Sequence, residues 1–120
     1  MTPSPPEPGD PILAIETSCD DTCAAVLNGD GRVRSSVVSS QGIHGEYLGV
    51  VPELASREHL ALILPAIRQA LDEADATLVQ LRGVAVTRGP GLIGCLLVGL
   101  ATAKGLALSL NLPLVGVNHL

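Results

Sequence analysis

Residues 16 to 22, Glu16-Thr17-Ser18-Cys19-Asp20-Asp21-Thr22, set three carboxylates among four hydroxyl or thiol groups. The cluster follows directly on the apolar run Ile12-Leu13-Ala14-Ile15. It therefore begins where a buried strand ends, which is where open α/β folds place ligands. Hydroxyls and backbone N–H groups there can hold phosphate oxygens, and the carboxylates can hold a metal, a metal-bound water or a basic group. The same pattern also suits a solvated acidic hairpin, and spacing alone leaves both readings open. A second stretch with chemical potential is Thr87-Arg88-Gly89-Pro90-Gly91-Leu92-Ile93-Gly94. Its Gly-Pro-Gly turns a strand into a helix, whose free N–H groups and positive dipole end can receive an anion or polar substrate. From the turn alone a plain strand-to-helix connection is the favoured reading, since most Gly/Pro turns are only turns. His44 lies in a Gly-rich loop, where one imidazole by itself indicates no particular chemistry.

The elements that must position these residues are readable from apolar periodicity. Ile12 to Ile15 is a continuous apolar run and reads as a central strand, Cys23 to Leu27 as a second, and Arg32 to Ser39 as a third, with Val33, Val37 and Val38 as its apolar residues. Asn28-Gly29-Asp30-Gly31 is a hairpin-turn signal, so the opening strands pair antiparallel. Pro52 and Glu53 open a helix. Leu60, Ile63, Leu64, Ile67 and Leu71 recur at helical spacing as its sheet-packing face, and Pro65 predicts a kink or break. Val84 to Thr87 reads as a strand, Leu92 to Ser109 as a thin helix rich in Leu, Ala and Gly, and Leu114 to Val117 as a last strand. The expected order is βββαβαβ.

Composition narrows the function classes. With 120 residues the chain is one domain, and with Tyr47 its one aromatic residue its core is built from Leu, Val, Ile and Ala. The formal net charge of −5 argues against this segment gripping nucleic acid unaided, since phosphate binding needs a basic patch. Cys19, Cys23 and Cys95 are an odd number without dense spacing, which suggests a reducing compartment and buried or half-buried thiols. Cys19 and Cys23 stand four apart, and no second pair completes a zinc site. Met1 to Pro11 carries five prolines and no apolar run, so it reads as a disordered tail and not as a targeting peptide. The run Leu92 to Val117 is apolar, but Lys104 interrupts it and Asn111 and Pro113 end it, which argues against a membrane span.

Four segments together resemble one family: Ile15 to Thr22; Val50-Val51-Pro52-Glu53-Leu54-Ala55-Ser56-Arg57 with His59; Thr87 to Gly94; and Val117-Asn118-His119. In that order they are similar to the N-terminal part of the tRNA N6-adenosine threonylcarbamoyltransferases (TsaD), formerly called glycoproteases or O-sialoglycoprotein endopeptidases. The resemblance spans Ile12 to Leu120. It implies an α/β fold, the ribonuclease-H-like first half of the actin/hexokinase-like ATPase fold, and the βββαβαβ order suits that half.

The resemblance also implies an activity: transfer of a threonylcarbamoyl group from threonylcarbamoyl-adenylate to N6 of the adenosine 3′ of the anticodon, in tRNAs reading codons that begin with A. By the same resemblance Asp20 and Asp21 are the catalytic acids. Thr17, Ser18, Gly89 and Gly91 bind the adenylate or ATP, and Glu16, Cys19, His44 and Pro90 line the substrate cleft. The family's divalent metal, iron or zinc, is held by a His-x-x-x-His pair and a distant Asp, and His119 matches the first histidine. The sequence given stops at Leu120, before the second, so these 120 residues are expected to be inactive alone. Leu48 departs from the family's usual glycine. Implied partners are a TsaB-like paralogue docking on the helices near 52–74 and 92–109, a TsaE-like ATPase, and tRNA through the whole complex. No membrane is implied, and the expected location is the cytoplasm. A homodimer through the same helices is a further expectation. Two other readings are a non-catalytic TsaB-like scaffold and the older metalloprotease assignment, for which no His-Glu-x-x-His occurs.

Overall fold

The computed structural model describes residues 10–18, 21–40, 52–91 and 93–118. Cys19, Asp20, His44, Leu48, His119 and residues 1–9 of the Pro-rich tail lie outside them. Five strands and two long helices follow in the order β1 (Ile12–Glu16), β2 (Asp21–Leu27), β3 (Val33–Ser40), α1 (Pro52–Glu73), β4 (Gly83–Gly89), α2 (Ile93–Leu110) and β5 (Leu114–Asn118). A single 3-10 turn, Leu78–Gln80, precedes β4. The order is the expected βββαβαβ, with boundaries shifted by one or two residues. Asp21, expected in the loop, is the first residue of β2. At the other end Pro11 is buried, and its carbonyl accepts the Arg82 N–H at 2.8 Å.

The sheet order is β3-β2-β1-β4-β5. β2 runs antiparallel to β1 and β3, whereas β1, β4 and β5 are parallel. The Asn28–Gly31 turn joins β2 to β3 as expected: the Gly31 N–H donates to the Asn28 carbonyl at 2.9 Å, and Gly31 has φ +90°. Strand alternation sends Leu13, Ile15, Thr22, Ala24, Val26, Val37, Val84 and Val86 to one face, where they join the core beneath the helices. The opposite face carries no helix among the described residues. Val33 and Val38 are both 58 % exposed, so of the third strand's three valines only Val37 is in the core.

Helix α1 packs on β2 and β3, and α2 packs on β4. The buried stripe of α1 is Ile63, Ala66, Ile67, Ala70 and Leu71, continued by Ala74 just past its end. Leu60 and Leu64, expected on that face, are 65 % and 61 % exposed. Each residue turns a helix by about 100°, and small alanines at 66, 70 and 74 let the backbone approach the sheet, so the two leucines fall at the margin. Leu64 lines a groove between the helices with Leu71 and Leu106. Of the kink or break expected at Pro65, the break does not occur: α1 runs through it. Pro65 and Ala61, whose carbonyl loses the helical donor, are both exposed, so water can serve that carbonyl.

Both helices end in a left-handed residue other than glycine, Asp75 at φ 53° and Asn111 at φ 54°. The Ala76 N–H closes onto the Leu71 carbonyl and the Leu112 N–H onto the Ala107 carbonyl, which satisfies late carbonyls of each helix. Strand β3 adds two donors at the end of α1: Ser35 Oγ reaches the Ala70 carbonyl at 2.6 Å and the Arg34 guanidinium reaches that of Ala74 at 2.5 Å.

Candidate ligand site at two adjacent strand ends

β1 and β4 are parallel neighbours, and their chains leave in opposite directions: β1 turns back into β2, while β4 passes through Gly89-Pro90-Gly91 into α2 towards β5. A switch of direction at the carboxyl ends of adjacent strands opens a crevice between the exit loops. The acidic cluster and the Gly-Pro-Gly turn are those two loops. Thus the segment after Ile15 is both the connection of a hairpin and one wall of the candidate site.

Four contacts tie the walls together. The backbone ladder between β1 and β4 ends at Ile15↔Val86. One residue further, Thr87 Oγ1 donates to Glu16 Oε2 at 2.8 Å, and the other oxygen, Oε1, accepts the Ser18 N–H. On the helix side, Thr17 Oγ1 donates to the Cys95 carbonyl at 2.7 Å within the first turn of α2. Thr17 fits there because Gly99 is a glycine; a Cβ at 99 would strike Thr17 Oγ1. Gly91 lies so close to Ser18 that a Cβ on it would stand 2.5 Å from the Ser18 carbonyl oxygen. The turn's glycine is required by the approach of protein backbone. The Gly89–Pro90 peptide bond is cis.

The structure therefore brings together Glu16, Thr17, Ser18 and Gly91 among the expected site residues. Thr17 and Ser18 are buried, at 1 % and 2 % exposure. Gly89 pairs with Asn118 at the end of the β4–β5 ladder, and Pro90 is exposed beside it. Asp21 shares the helix-free face with Cys23, and Cys23 stands opposite Glu16 in the β1–β2 register. Burial first, then the carboxylates of Asp21 and Glu16, raise the Cys23 thiol above its ordinary pKa of 9.0. Glu16, Cys23 and Thr87 form the polar end of a shallow trough floored by Ala14, Ala25 and Ala85. Cys95 is fully buried and Cys23 half-buried, as expected of the thiols.

Thr87, Cys95 and Gly99 carry no site role by residue type or spacing alone. Gly99 does carry a signal, because a glycine inside a helix calls for a packing reason. The metal expectation rests on His119, outside the described residues. A lone imidazole does not hold a divalent ion, and no group of three His, Cys, Asp or Glu side chains converges among the described residues. No step is therefore assigned to a metal here.

Comparison with known proteins adds the family. The model of the tRNA N6-adenosine threonylcarbamoyltransferase family, TsaD, matches residues 32–120. The chain belongs to this family. Relatives of that name include one from Trichlorobacter lovleyi, 64 % identical over 111 residues, and one from Salinibacter ruber, 62 % identical over 110. Both matches take in 91 % of this chain, and hence both strand-end loops, but 32 % and 33 % of the relatives. The chain spans about a third of the length of the curated relatives it matches.

Among solved structures, YeaZ from Pseudomonas aeruginosa superimposes with a TM-score of 0.68 at 27 % identity, covering 90 % of this chain and 44 % of YeaZ. An uncharacterized protein described as similar to peptidase YeaZ from the same organism gives 0.67 at 28 %, covering 91 % and 43 %. The fold is accordingly the ribonuclease-H-like half of the actin/hexokinase-like ATPase fold, as the TsaD resemblance implies.

Proposed function

We propose that this TsaD chain is the N-terminal lobe of an enzyme that transfers threonylcarbamoyl from threonylcarbamoyl-adenylate to N6 of the adenosine 3′ of the anticodon, in tRNAs reading codons that begin with A. The observation that carries the reading is the joining of the Glu16–Ser18 and Thr87–Gly91 segments at adjacent strand ends, within a stretch 64 % identical to a transferase of that name. In the proposed reaction the adenosine N6 attacks the carbamoyl carbon. A C–N bond forms, the C–O bond to the phosphate breaks, AMP departs and N6 loses a proton. Backbone N–H groups of the Gly89–Gly91 turn suit the phosphate. Asp20 and Asp21 suit the acidic role near the amine, which becomes more acidic as the new bond forms.

The remaining expectations are part of the same proposal. His119 supplies one ligand of a divalent metal, iron or zinc, with the others drawn from the remaining two-thirds that relatives possess. The exposed apolar stripe of Leu60, Leu64, Ile93, Leu97 and Leu108 on α1 and α2 is offered to a TsaB-like paralogue. A TsaE-like ATPase and tRNA join through the complex, in the cytoplasm, with no membrane. By length and composition α2 is apolar enough to cross a membrane, and it packs on β4 and α1 through Cys95, Val98, Gly99, Ala103 and Ala107.

The test is a chimera in which residues 1–120 replace the matching segment of the Trichlorobacter lovleyi relative. Mass spectrometry of tRNA nucleosides reads the product. Modified adenosine is expected with the chimera and not with the 120-residue chain alone. Replacing Asp20 and Asp21 by Ala in the chimera is expected to abolish transfer and leave the circular dichroism spectrum unchanged; retained transfer removes their role. A folded chimera without activity that still binds a TsaB-like partner favours the scaffold reading, to which the likeness to YeaZ lends its weight.

A further inference from the structure

The two oxygens of Glu16 point at two different segments. Oε1 takes the Ser18 N–H from its own loop, and Oε2 takes the hydroxyl of Thr87 from the neighbouring strand. Ser18 is 2 % and Thr87 9 % exposed, and the two bonds they make to Glu16 are half-buried. The backbone ladder of β1 and β4 has already stopped at Ile15↔Val86, so the next rung is made by side chains alone. Beyond this rung the strands part into the two loops between which the proposed adenylate sits.

We propose that Glu16 and Thr87 form a positioning latch for the transfer: one carboxylate, bonded to both loops, sets the distance between the Ser18 backbone and the Gly89–Gly91 turn. This deepens the transferase reading and rests on it. Glu16 acts through the loops, with its hydrogen-bonding geometry and not its charge as the working feature. Ser18 must stay against Gly91, because that contact is built to the width of a missing Cβ. On the opposite side of β1, the Thr17–Cys95 bond fixes the loop to α2. It does not reach the end of β4, which leaves the Thr87 rung to hold that wall.

The two roles of Glu16 separate chemically. A glutamine can keep both bonds, accepting the Ser18 N–H with its oxygen and donating to Thr87 with its amide, since a hydroxyl can turn to accept. A carboxylate that binds substrate cations or moves a proton cannot be replaced in this way. In the chimera, Thr87→Val, which loses one of the two bonds, is expected to lower kcat/KM by about tenfold, and Glu16→Ala, which loses both, by at least as much. Glu16→Gln and Thr87→Ser are expected to recover most of that loss. The double change Glu16→Ala with Thr87→Val should be no worse than Glu16→Ala alone. A Glu16→Gln variant as impaired as Glu16→Ala, or a Thr87→Val variant with unchanged kinetics, overturns the latch.

Amide hydrogen exchange in the 120-residue chain provides a reading independent of activity. The Ser18 amide is expected to exchange slowly in the unsubstituted and Glu16→Gln chains and at least about tenfold faster in Glu16→Ala. Equal exchange in all three overturns the latch even if the chimera is active. An inactive chimera with the expected exchange pattern counts against the transferase reading and leaves the bonding geometry standing.

Discussion

At the residue scale, two glycines of one helix predict opposite outcomes. Gly99 leaves room for the buried hydroxyl of Thr17, whereas Gly105 faces open space on the exposed side of α2. Gly99→Ala is expected to lower the unfolding free energy by roughly 1–3 kcal/mol, because Thr17 must shift and weaken its bond to Cys95. Gly105→Ala is expected to raise it by about 0.5–1 kcal/mol through helix propensity. Urea denaturation of both chains measures the pair, and a shared sign disproves the packing argument. Cys23 gives a pH dependence. Its thiol pKa is raised in the folded chain, so the folded state keeps a proton that the unfolded state releases first. The associated stability is full below the unfolded pKa, near 9.0, and is lost as pH rises through the folded value. Cys23→Ala is therefore expected to flatten the alkaline limb of a stability–pH curve, and alkylation of Cys23 is expected to quicken in Asp21→Asn. An unchanged limb and an unchanged rate remove this account.

At the element scale, the end of α1 is fastened to the sheet by β3. Ser35 and Arg34 donate to the Ala70 and Ala74 carbonyls, 35 and 40 residues away. Ser35→Ala and Arg34→Ala are each expected to cost about 1 kcal/mol of stability, read from denaturant midpoints at constant slope. If neither moves the midpoint, the helix end is held by its Asp75 turn alone. The sequence disclosed the elements because each carries its own period, two for strands and 3.6 for helices. It disclosed less about which stripe of a helix meets the sheet. Leu60 and Leu64 share the spacing of Ile63 and Ile67, yet the alanines at 66, 70 and 74 decide the contact, and alanine is weak in an apolar count. The site was half legible for a similar reason. The residue types of both loops stand out locally, whereas Glu16–Thr87 and Thr17–Cys95 join residues 71 and 78 apart and leave no local trace. Asp20 and His119 fall outside the described residues.

At the scale of the whole molecule, two apolar surfaces remain open among the described residues: the stripe on the helices and the helix-free face of the sheet, where Val38 and Val115 are more than half exposed and Val117 nearly so. Parallel strands are ordinarily covered on both faces. The chain by itself is therefore expected to self-associate, with light scattering giving a mass above 12.3 kDa that rises with concentration. Val115→Lys with Val117→Lys is expected to reduce that association, and Leu64→Lys with Leu97→Lys to weaken binding of a TsaB-like partner. A monomer at all concentrations contradicts the first expectation. The long reach of the loop-to-loop bonds has one more consequence, for the order of events during synthesis. β1, β2 and β3 leave the ribosome before α1, β4 and α2, and the acidic loop emerges with its counterpart still untranslated. Until Cys95 and Gly99 follow, Thr17 has neither its acceptor nor its notch. The acidic loop is thus made before the wall that shapes it, and a nascent polypeptide halted before α2 carries the one without the other.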